Sequence, residues 1–138
     1  MEKLIVYCDG GSRGNPGKSA SAFVVKKNGQ VIKSGSVFLG ISTNNVAEYK
    51  AVMLALIWIL KNPSIKYQVS SITFFLDSEL VVRQLAGLYK VKNKKLQSLF
   101  MVIKNIEKKL FAKVNYVSVK RKKNILADTL VNQELDKN

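Results

Sequence analysis

The chain has 138 residues, 47% of them apolar, which is enough material for the hydrophobic core of one domain. Its 23 Lys and Arg residues outnumber its 9 Asp and Glu residues, and the resulting net charge of +14 favours a polyanionic partner such as nucleic acid. The chain has no histidine, which excludes His-based triads and His-ligated zinc, and its single cysteine, Cys8, excludes an internal disulfide.

The first third of the chain predicts three strands. Residues 3–8 form a β-branched and aromatic run typical of a strand, and the glycine-dense segment 9–18 predicts a loop. Two further strands, at 20–27 and 30–38, are joined by Asn28-Gly29, a pair typical of a tight hairpin turn. We therefore expect the sheet to begin with antiparallel strands.

The middle of the chain predicts two helices with a buried strand between them. A long helix is expected over residues 43–61, ending before the Asn-Pro pair that follows. Residues 71–76 are apolar enough for a central strand. Residues 78–86 predict a short helix that is closed by Gly87.

The last third predicts an amphipathic helix over 94–110, a strand over 113–119 and a final helix over 124–135. The resulting element order is β-β-β-α-β-α-α-β-α. An antiparallel hairpin start followed by alternating strands and helices predicts an α/β fold, in which a five-stranded mixed sheet is flanked by helices. We expect residues 1–138 to form a single domain.

Four of the nine acidic residues stand at junctions between elements. Asp9 and Asp77 are expected to end two strands, Glu48 to lie in the first turn of the long helix, and Asp128 to lie near the start of the last helix. Each has a local explanation as well. Asp9 suits a turn, Asn45 and Glu48 fit a capping box, and the other two suit a helix cap or the helix dipole.

The four acids together indicate a metal site. Strand ends and helix starts meet at one edge of an α/β sheet, where ligands bind. Glu48 shares a helix face with apolar residues, and a buried carboxylate needs a partner. Hard oxygen ligands suit Mg²⁺ or Mn²⁺, and two such ions about 4 Å apart clamp the attacking and leaving oxygens of a phosphoryl displacement.

Four segments, in order, resemble the motifs of the type 1 ribonuclease H (RNase HI) family. They are DGGSRGNPG at 9–17, STNNVAEYKAV at 42–52, FLDSELVVRQLAGLYKVKN at 75–93 and VKRKKNILADTLVNQELD at 119–136. The resemblance spans residues 4–135 and implies the RNase H-like fold. It also implies hydrolysis of the RNA strand of RNA/DNA hybrids with Mg²⁺ or Mn²⁺, which leaves 3′-hydroxyl and 5′-phosphate ends.

The resemblance implies that the four junction acids are the catalytic and metal-binding carboxylates. Asp9 and Asp77 are expected to bridge both ions. Asp128 is expected to serve mainly the ion that activates water, and Glu48 the other ion. The family's usual histidine is absent before Asp128, which places the sequence in a histidine-lacking subgroup. Arg121 is expected to take over charge stabilisation there, although a guanidinium cannot act as a general base.

The same motifs imply a set of substrate-binding residues: Gly10, Gly11, Ser12, Asn15, Thr43, Asn44, Asn45, Arg121 and Asn124. The glycines are expected to let the backbone approach the RNA strand. Glu48 and the neighbouring loop are expected to sense the 2′-hydroxyl group. Turn formation and helix capping explain the polar members of the set equally well.

Two short basic runs carry eight of the positive charges: Lys90, Lys92, Lys94 and Lys95 in the first, and Lys120, Arg121, Lys122 and Lys123 in the second. A solubilising surface explains them as well as contact with phosphates does. The second run leads directly to Asp128, which favours phosphate contact there.

Two alternative functions use the same fold. One is a nuclease that cuts double-stranded RNA or DNA junctions, and the other is an inactive RNase H-fold module that only binds nucleic acid. The presence of all four acids disfavours the inactive module. We expect an RNA/DNA hybrid as the partner, no obligate protein partner, and a monomer.

The setting of the chain is expected to be cytoplasmic, without membrane association. The longest unbroken apolar run, residues 51–60, is too short to span a bilayer. The N-terminus lacks the features of a signal peptide, and one cysteine suits a reducing compartment.

Overall fold

In a computed structural model, which describes residues 2–138, the chain forms one five-stranded sheet. Its strands are β1 (Glu2–Arg13), β2 (Gly17–Lys27), β3 (Gln30–Ser42), β4 (Val69–Leu76) and β5 (Lys113–Ser118). Their order across the sheet is β3-β2-β1-β4-β5. Strands β1, β2 and β3 pair antiparallel, whereas β4 is parallel to both β1 and β5. The predicted five-stranded mixed sheet is therefore confirmed.

Five helices connect or flank the strands: α1 (Asn44–Leu60), α2 (Pro63–Lys66), α3 (Glu79–Leu85), α4 (Lys94–Lys108) and α5 (Ile125–Asp136). A short 3-10 helix, Arg121–Lys123, precedes α5. Neither this turn nor α2 was predicted, because a single turn is too short to show helical periodicity. Within residues 2–138, no helix is long and apolar enough to cross a membrane.

The main hydrophobic core lies between one face of the sheet and helices α1, α3 and α4. Alternate residues of β1, namely Leu4, Val6 and Cys8, are fully buried in this core. A smaller core lies on the opposite face, where Val131 and Leu135 of α5 pack on Ala20 and Ala22 of β2. The helix α5 thus covers the side of the sheet that α1 leaves free.

The glycine-dense segment after residue 8 is a strand, and the prediction of a loop there was wrong. Strand β1 runs on to Arg13 and pairs with β2 as far as Lys18. Its pairing with β4 stops earlier, at Tyr7 and Phe75. Asp9 therefore lies inside β1 rather than at its end, just beyond the point where the parallel partner stops.

The hairpin between β2 and β3 was predicted correctly. Asn28 and Gly29 both have positive φ angles, of 52° and 75°. Two consecutive residues with positive φ are what a tight hairpin turn of this kind requires, and Asn-Gly is the sequence that adopts it most readily.

Candidate active site

A cleft of about 430 Å³ lies where β1 outruns β4 and where helices α1 and α5 begin. The four predicted carboxylates, Asp9, Glu48, Asp77 and Asp128, all line it. So do most of the predicted substrate-binding residues: Gly10, Gly11, Ser12, Asn44, Asn45 and Arg121. The residues predicted at the edge of the sheet are therefore brought together by the fold.

Three of the carboxylates form a compact group. Asp9, Glu48 and Asp77 each place one oxygen within 4.8 Å of the others. Asp9 and Asp77 follow the last paired residues of two adjacent parallel strands, so their side chains emerge side by side. Glu48 enters from α1 as the fifth residue of that helix, which places it just beyond the first turn, where it was predicted to lie.

Burial and mutual repulsion disfavour the charged forms of the three carboxyl groups. Burial, followed by the nearby charges of Asp77 and Asp128, raises the pKa of Asp9 to about 7. Burial and the proximity of Asp9 raise the pKa of Glu48 well above its ordinary value. Burial also raises the pKa of Asp77, and the positive charge of Arg121 partly offsets it. The cluster thus favours a proton or a cation.

Glu48 is held by the backbone of β1. Its Oε1 accepts a hydrogen bond of 2.9 Å from the N–H of Gly10. Its Oε2 is buried and has no hydrogen-bond partner among residues 2–138. The expected capping box with Asn45 is absent, because the helix is capped by Thr43, whose hydroxyl accepts from the N–H of Val46 at 3.3 Å.

Asp128 lies in the first turn of α5, as predicted, and stands apart from the compact group. Its Oδ1 is 3.2 Å from a guanidinium nitrogen of the exposed Arg121. Its charge still contributes to the raised pKa values of Asp9 and Asp77, so it belongs to the same electrostatic site. Arg121 therefore supplies a positive charge at the place where the sequence lacks a histidine.

Hydrogen bonds join the glycine-rich part of β1 to the start of α1. The side-chain carbonyl of Asn44 accepts from the N–H of Ser12 at 2.9 Å. The N–H of Asn44 donates to the side chain of Asn15 at 3.0 Å. Asn15 and the capping residue Thr43 do not line the cleft, so they fix its rim rather than form its wall.

Gly10 has a packing role that the sequence did not reveal. A Cβ atom on Gly10 would lie 2.2 Å from the carbonyl carbon of Ala47 and 2.3 Å from the backbone nitrogen of Glu48. At Gly11, a Cβ would meet only the Val131 side chain, at 3.3 Å. The missing side chain of Gly10 therefore lets the backbone of α1 press against β1 and brings Glu48 to Asp9.

Asn124 is turned into the protein instead of into the cleft. Its side chain is 1% exposed, and its Nδ2 donates a 2.7 Å hydrogen bond to the carbonyl oxygen of Cys8. The backbone carbonyl of Asn124 accepts from the N–H of Asp128. Asn124 thereby ties the start of α5 to β1, one residue before Asp9.

The predicted lysines lie on the surface and outside the cleft wall. All seven are exposed: Lys90, Lys92, Lys94, Lys95, Lys120, Lys122 and Lys123. The first run occupies the connection between α3 and α4 and the first turn of α4. The second run is the 3-10 helix and the residue before it, which lead into α5.

Sequence reasoning missed several residues of the cleft: Arg13, Ser78, Val131, Asn132 and Leu135. Asn132 follows Asp128 by one helical turn, so helical spacing could have identified it. Ser78 is the N-cap of α3, and its hydroxyl accepts from the N–H of Val81. Arg13 reaches the cleft only because β1 continues past the glycines.

The strand order, the carboxylates just beyond the point where β1 and β4 stop pairing, and the helix α5 across the opposite face define a ribonuclease H-like domain. A family profile described as "Reverse transcriptase-like" matches residues 7–134. The chain also resembles LC11-RNase H1, isolated from compost by a metagenomic approach and solved in complex with an RNA/DNA hybrid. The TM-score of that match is 0.90, with 38% identity and 97% of each chain covered.

Two further proteins with ribonuclease H names are similar to this chain. The N-terminal RNase H domain of a bifunctional Mycobacterium tuberculosis protein matches with a TM-score of 0.87 and 32% identity, covering 99% of this chain and 96% of that one. Ribonuclease HI of Halobacterium salinarum is 33% identical over 135 residues, which are 97% of this chain and 65% of the relative. This chain belongs to the type 1 ribonuclease H family, as its four motifs predict.

The first curated relatives are longer proteins. The chain spans 36% of the full length of the bifunctional Mycobacterium tuberculosis protein, with 34% identity over 136 residues.

Proposed function

We propose that this chain is a divalent-metal-dependent ribonuclease H that hydrolyses the RNA strand of RNA/DNA hybrids, leaving 5′-phosphate and 3′-hydroxyl ends. The observation that carries the proposal is the gathering of Asp9, Glu48 and Asp77 within 4.8 Å in an open cleft, with Asp128 beside them. The hybrid bound to LC11-RNase H1, a relative with 38% identity, supports this choice of substrate.

The residues present fit hard divalent cations. All the donor groups are carboxylates, one buried oxygen of Glu48 has no hydrogen-bond partner within residues 2–138, and the pKa of Asp9 is raised to about 7 by burial and by its neighbours. Asp9, Glu48, Asp77 and Asp128 would hold two ions, either Mg²⁺ or Mn²⁺. When bound, such ions activate water and stabilise the leaving oxygen of a phosphoryl displacement.

The chain's own residues position these groups and balance their charge. The N–H of Gly10 fixes the carboxylate of Glu48, so the group is oriented before substrate arrives. Arg121 stands beside Asp128 with its guanidinium exposed, where it can neutralise a substrate phosphate. A guanidinium is no general base and the chain has no histidine, so neither group accepts the proton of the attacking water in this cleft.

Recognition of RNA rests on polar groups along the same wall. Ser12, Asn44, Asn45 and Glu48 line the cleft between β1 and the start of α1. They offer donors and acceptors to a ribose, and the 2′-hydroxyl is the group that separates RNA from DNA. All these residues come from one chain, so a monomer suffices for activity.

The experiment is a cleavage assay on end-labelled RNA in four forms: an RNA/DNA hybrid, single-stranded RNA, double-stranded RNA, and a duplex with one ribonucleotide. Each is incubated with Mg²⁺, Mn²⁺ or EDTA, beside the Asp77→Asn variant, which controls for contaminating nucleases. We expect metal-dependent cleavage of the hybrid that disappears in the variant.

Other outcomes would contradict the proposal in distinct ways. Cleavage of double-stranded RNA in preference to the hybrid would indicate a nuclease of different specificity. Tight, salt-sensitive binding of the hybrid without cleavage in either metal would indicate a binding module. The absence of a histidine would then be the first explanation to test for the lack of cleavage.

A further inference from the structure

The helix α5 leaves part of its own side of the sheet uncovered. The outward residues of β1, β4 and β5 there run from Lys3, Ser71 and Lys113 at one end to Tyr7, Phe75 and Val117 at the other. We call this region the open sheet face. Tyr7, Phe75 and Val117 lie in register as one row across the three strands.

Two aromatic rings form the centre of that row. Tyr7 and Phe75 stack with their ring centroids 5.3 Å apart and an interplanar angle of 25°. The amine of Lys26 lies 5.4 Å from the centroid of the Tyr7 ring. Tyr7 also lines a cavity of about 130 Å³ together with Lys122 and Lys123, and both Tyr7 and Phe75 are only half-buried.

Away from the cleft, the charged side chains that border the rings are lysines. Lys3 and Lys113 mark one end of the open sheet face, and Lys26, Lys122 and Lys123 stand along its side. Among the described outward residues of β1, β4 and β5 before the cleft, none is acidic. A patch of this kind attracts polyanions, and salt weakens such attraction.

The open sheet face is continuous with the cleft. Asp9 follows Tyr7 by two residues in β1, and Asp77 follows Phe75 by two residues along the chain. Residues two apart on a strand point to the same face, about 7 Å from each other. Tyr7 therefore lies on the same side of the sheet as Asp9, and Phe75 lies two residues before Asp77, which lines the cleft just past the end of β4.

We propose that the open sheet face binds a single-stranded nucleic-acid segment that extends from the cleft. Unpaired bases expose ring faces that can stack on aromatic side chains, whereas the bases of a duplex are stacked on each other. Lysines around such rings bind the backbone phosphates without reading sequence. This surface goes beyond the cleavage reaction, and its binding of single strands does not require divalent metal.

The test uses fluorescence anisotropy of a labelled short oligothymidylate in EDTA, so that cleavage plays no part. One variant combines Lys3→Gln, Lys26→Gln and Lys113→Gln. The matched control combines Lys61→Gln, Lys108→Gln and Lys109→Gln, which removes the same charge from exposed positions elsewhere. We expect the first variant, and not the control, to flatten the slope of log K against log salt by about 2, since each lost phosphate contact to a single strand contributes about 0.7.

A second variant tests stacking without changing charge. Phe75→Leu keeps an apolar side chain and removes the ring, and we expect oligothymidylate to bind at least about fivefold more weakly. The unfolding midpoint of the variant is measured alongside to show that the fold is intact. The proposal would be overturned if both lysine variants flattened the slope of log K against log salt equally. It would also be overturned if a folded Phe75→Leu protein bound oligothymidylate as tightly as the unsubstituted protein.

Discussion

Asp77 and Ser78 are neighbours with separate roles. Ser78 caps α3 through a 3.3 Å hydrogen bond from the N–H of Val81, whereas Asp77 points into the carboxylate group. Burial raises the pKa of Asp77, which means that the fold disfavours its charged form. We therefore expect Asp77→Asn to abolish cleavage while leaving the metal-free protein as stable as before or slightly more stable.

Ser78→Ala is the matched comparison. Loss of a helix cap costs about 1 kcal/mol, so this variant should unfold at lower denaturant concentration than Asp77→Asn. Urea unfolding of both variants in EDTA measures the difference. A large loss of stability in Asp77→Asn would show that the carboxylate is structural.

The protonation of Asp9 links stability to pH when metal is absent. The pKa of Asp9 is about 7 in the fold against an ordinary value of 3.8, mainly because the group is buried. Between these values the folded chain keeps a proton that the unfolded chain has lost. The stability that this proton contributes is present below about pH 4 and disappears as the pH rises through about 7, a change of up to about 4 kcal/mol.

Urea unfolding in EDTA at a series of pH values checks this prediction. Asp9→Asn should make the decline smaller, the remainder coming from Glu48 and Asp77, whose pKa values are raised as well, whereas Asp136→Asn, at an exposed position, should leave the decline unchanged. Addition of Mg²⁺ at neutral pH should restore stability, because the cation replaces the proton. A free energy of unfolding that rises from pH 4 to 7 in EDTA would contradict the prediction.

At the scale of elements, the contact between β1 and α1 depends on one missing side chain. A Cβ atom on Gly10 would lie 2.2 Å from the backbone of α1, and backbone cannot move aside as a flexible side chain can. Gly10→Ala should lower the free energy of unfolding by at least about 2 kcal/mol, since overpacking of this kind costs about 1–3 kcal/mol of stability. Gly11→Ala, which meets only the side chain of Val131, should cost less.

The two glycine variants are compared by urea unfolding and by cleavage of the hybrid. Gly10→Ala should also lose activity, because the shift of α1 breaks the hydrogen bond between Gly10 and Glu48. Equal stability of the two variants would show that α1 adjusts freely to the added methyl group.

The helix α5 is anchored to the sheet by Asn124. The Asn124 side chain donates a 2.7 Å hydrogen bond to the carbonyl oxygen of Cys8, the residue before Asp9. The backbone carbonyl of Asn124 accepts a hydrogen bond from the N–H of Asp128. We expect Asn124→Ala to leave a buried carbonyl without its donor, at a cost of about 1–3 kcal/mol. The turnover number should fall while the affinity for hybrid changes little, since the buried side chain positions Asp128 and is not accessible to substrate.

Steady-state kinetics and hybrid binding without metal separate these effects. Gln133→Ala, on the exposed surface of the same helix, is the control and should change neither the turnover number nor the affinity for the hybrid. Weaker hybrid binding with an unchanged turnover number would indicate that Asn124 contacts substrate after all.

The sequence was informative wherever a local pattern decides the structure. Periodicity placed α1 and α4, Asn28-Gly29 placed the hairpin, and the junction positions of the acids predicted their convergence. Prediction from the sequence failed where a contact between residues far apart in the chain decides the structure. Glycines after Asp9 indicate a loop until β2 pairs with them, and only the approach of α1 reveals why Gly10 has no side chain.

Distant contacts also explain why the sequence did not predict the capping residue of α1 or the burial of Asn124. Thr43 and Asn45 are both good caps, and the choice between them depends on where β3 releases the chain, at Ser42. Asn124 resembles a surface residue in a basic run, and its burial follows from the docking of α5 on the sheet. Neither outcome is encoded in the few residues around the position.

For the whole molecule, the surface charge surrounds an acidic centre. The chain carries +14, yet the cleft gathers four carboxylates, so the basic residues must attract the polyanion while cations neutralise the centre. Lys120, Lys122 and Lys123 lie on the approach to α5 and next to Arg121, which does line the cleft. This arrangement favours phosphate contact by the second basic run.

Replacement of Lys120, Lys122 and Lys123 with Gln should therefore weaken hybrid binding and flatten its salt dependence. Each phosphate contact contributes about 0.9 to the slope of log K against log salt on duplex DNA, so the triple variant should lower the slope by about 2–3. The measurement is binding of an RNA/DNA hybrid in EDTA over a range of salt concentrations. The Lys61, Lys108 and Lys109 triple variant, with the same net charge, is the control, and an identical slope in the two variants would show that net charge alone, rather than contact, governs binding.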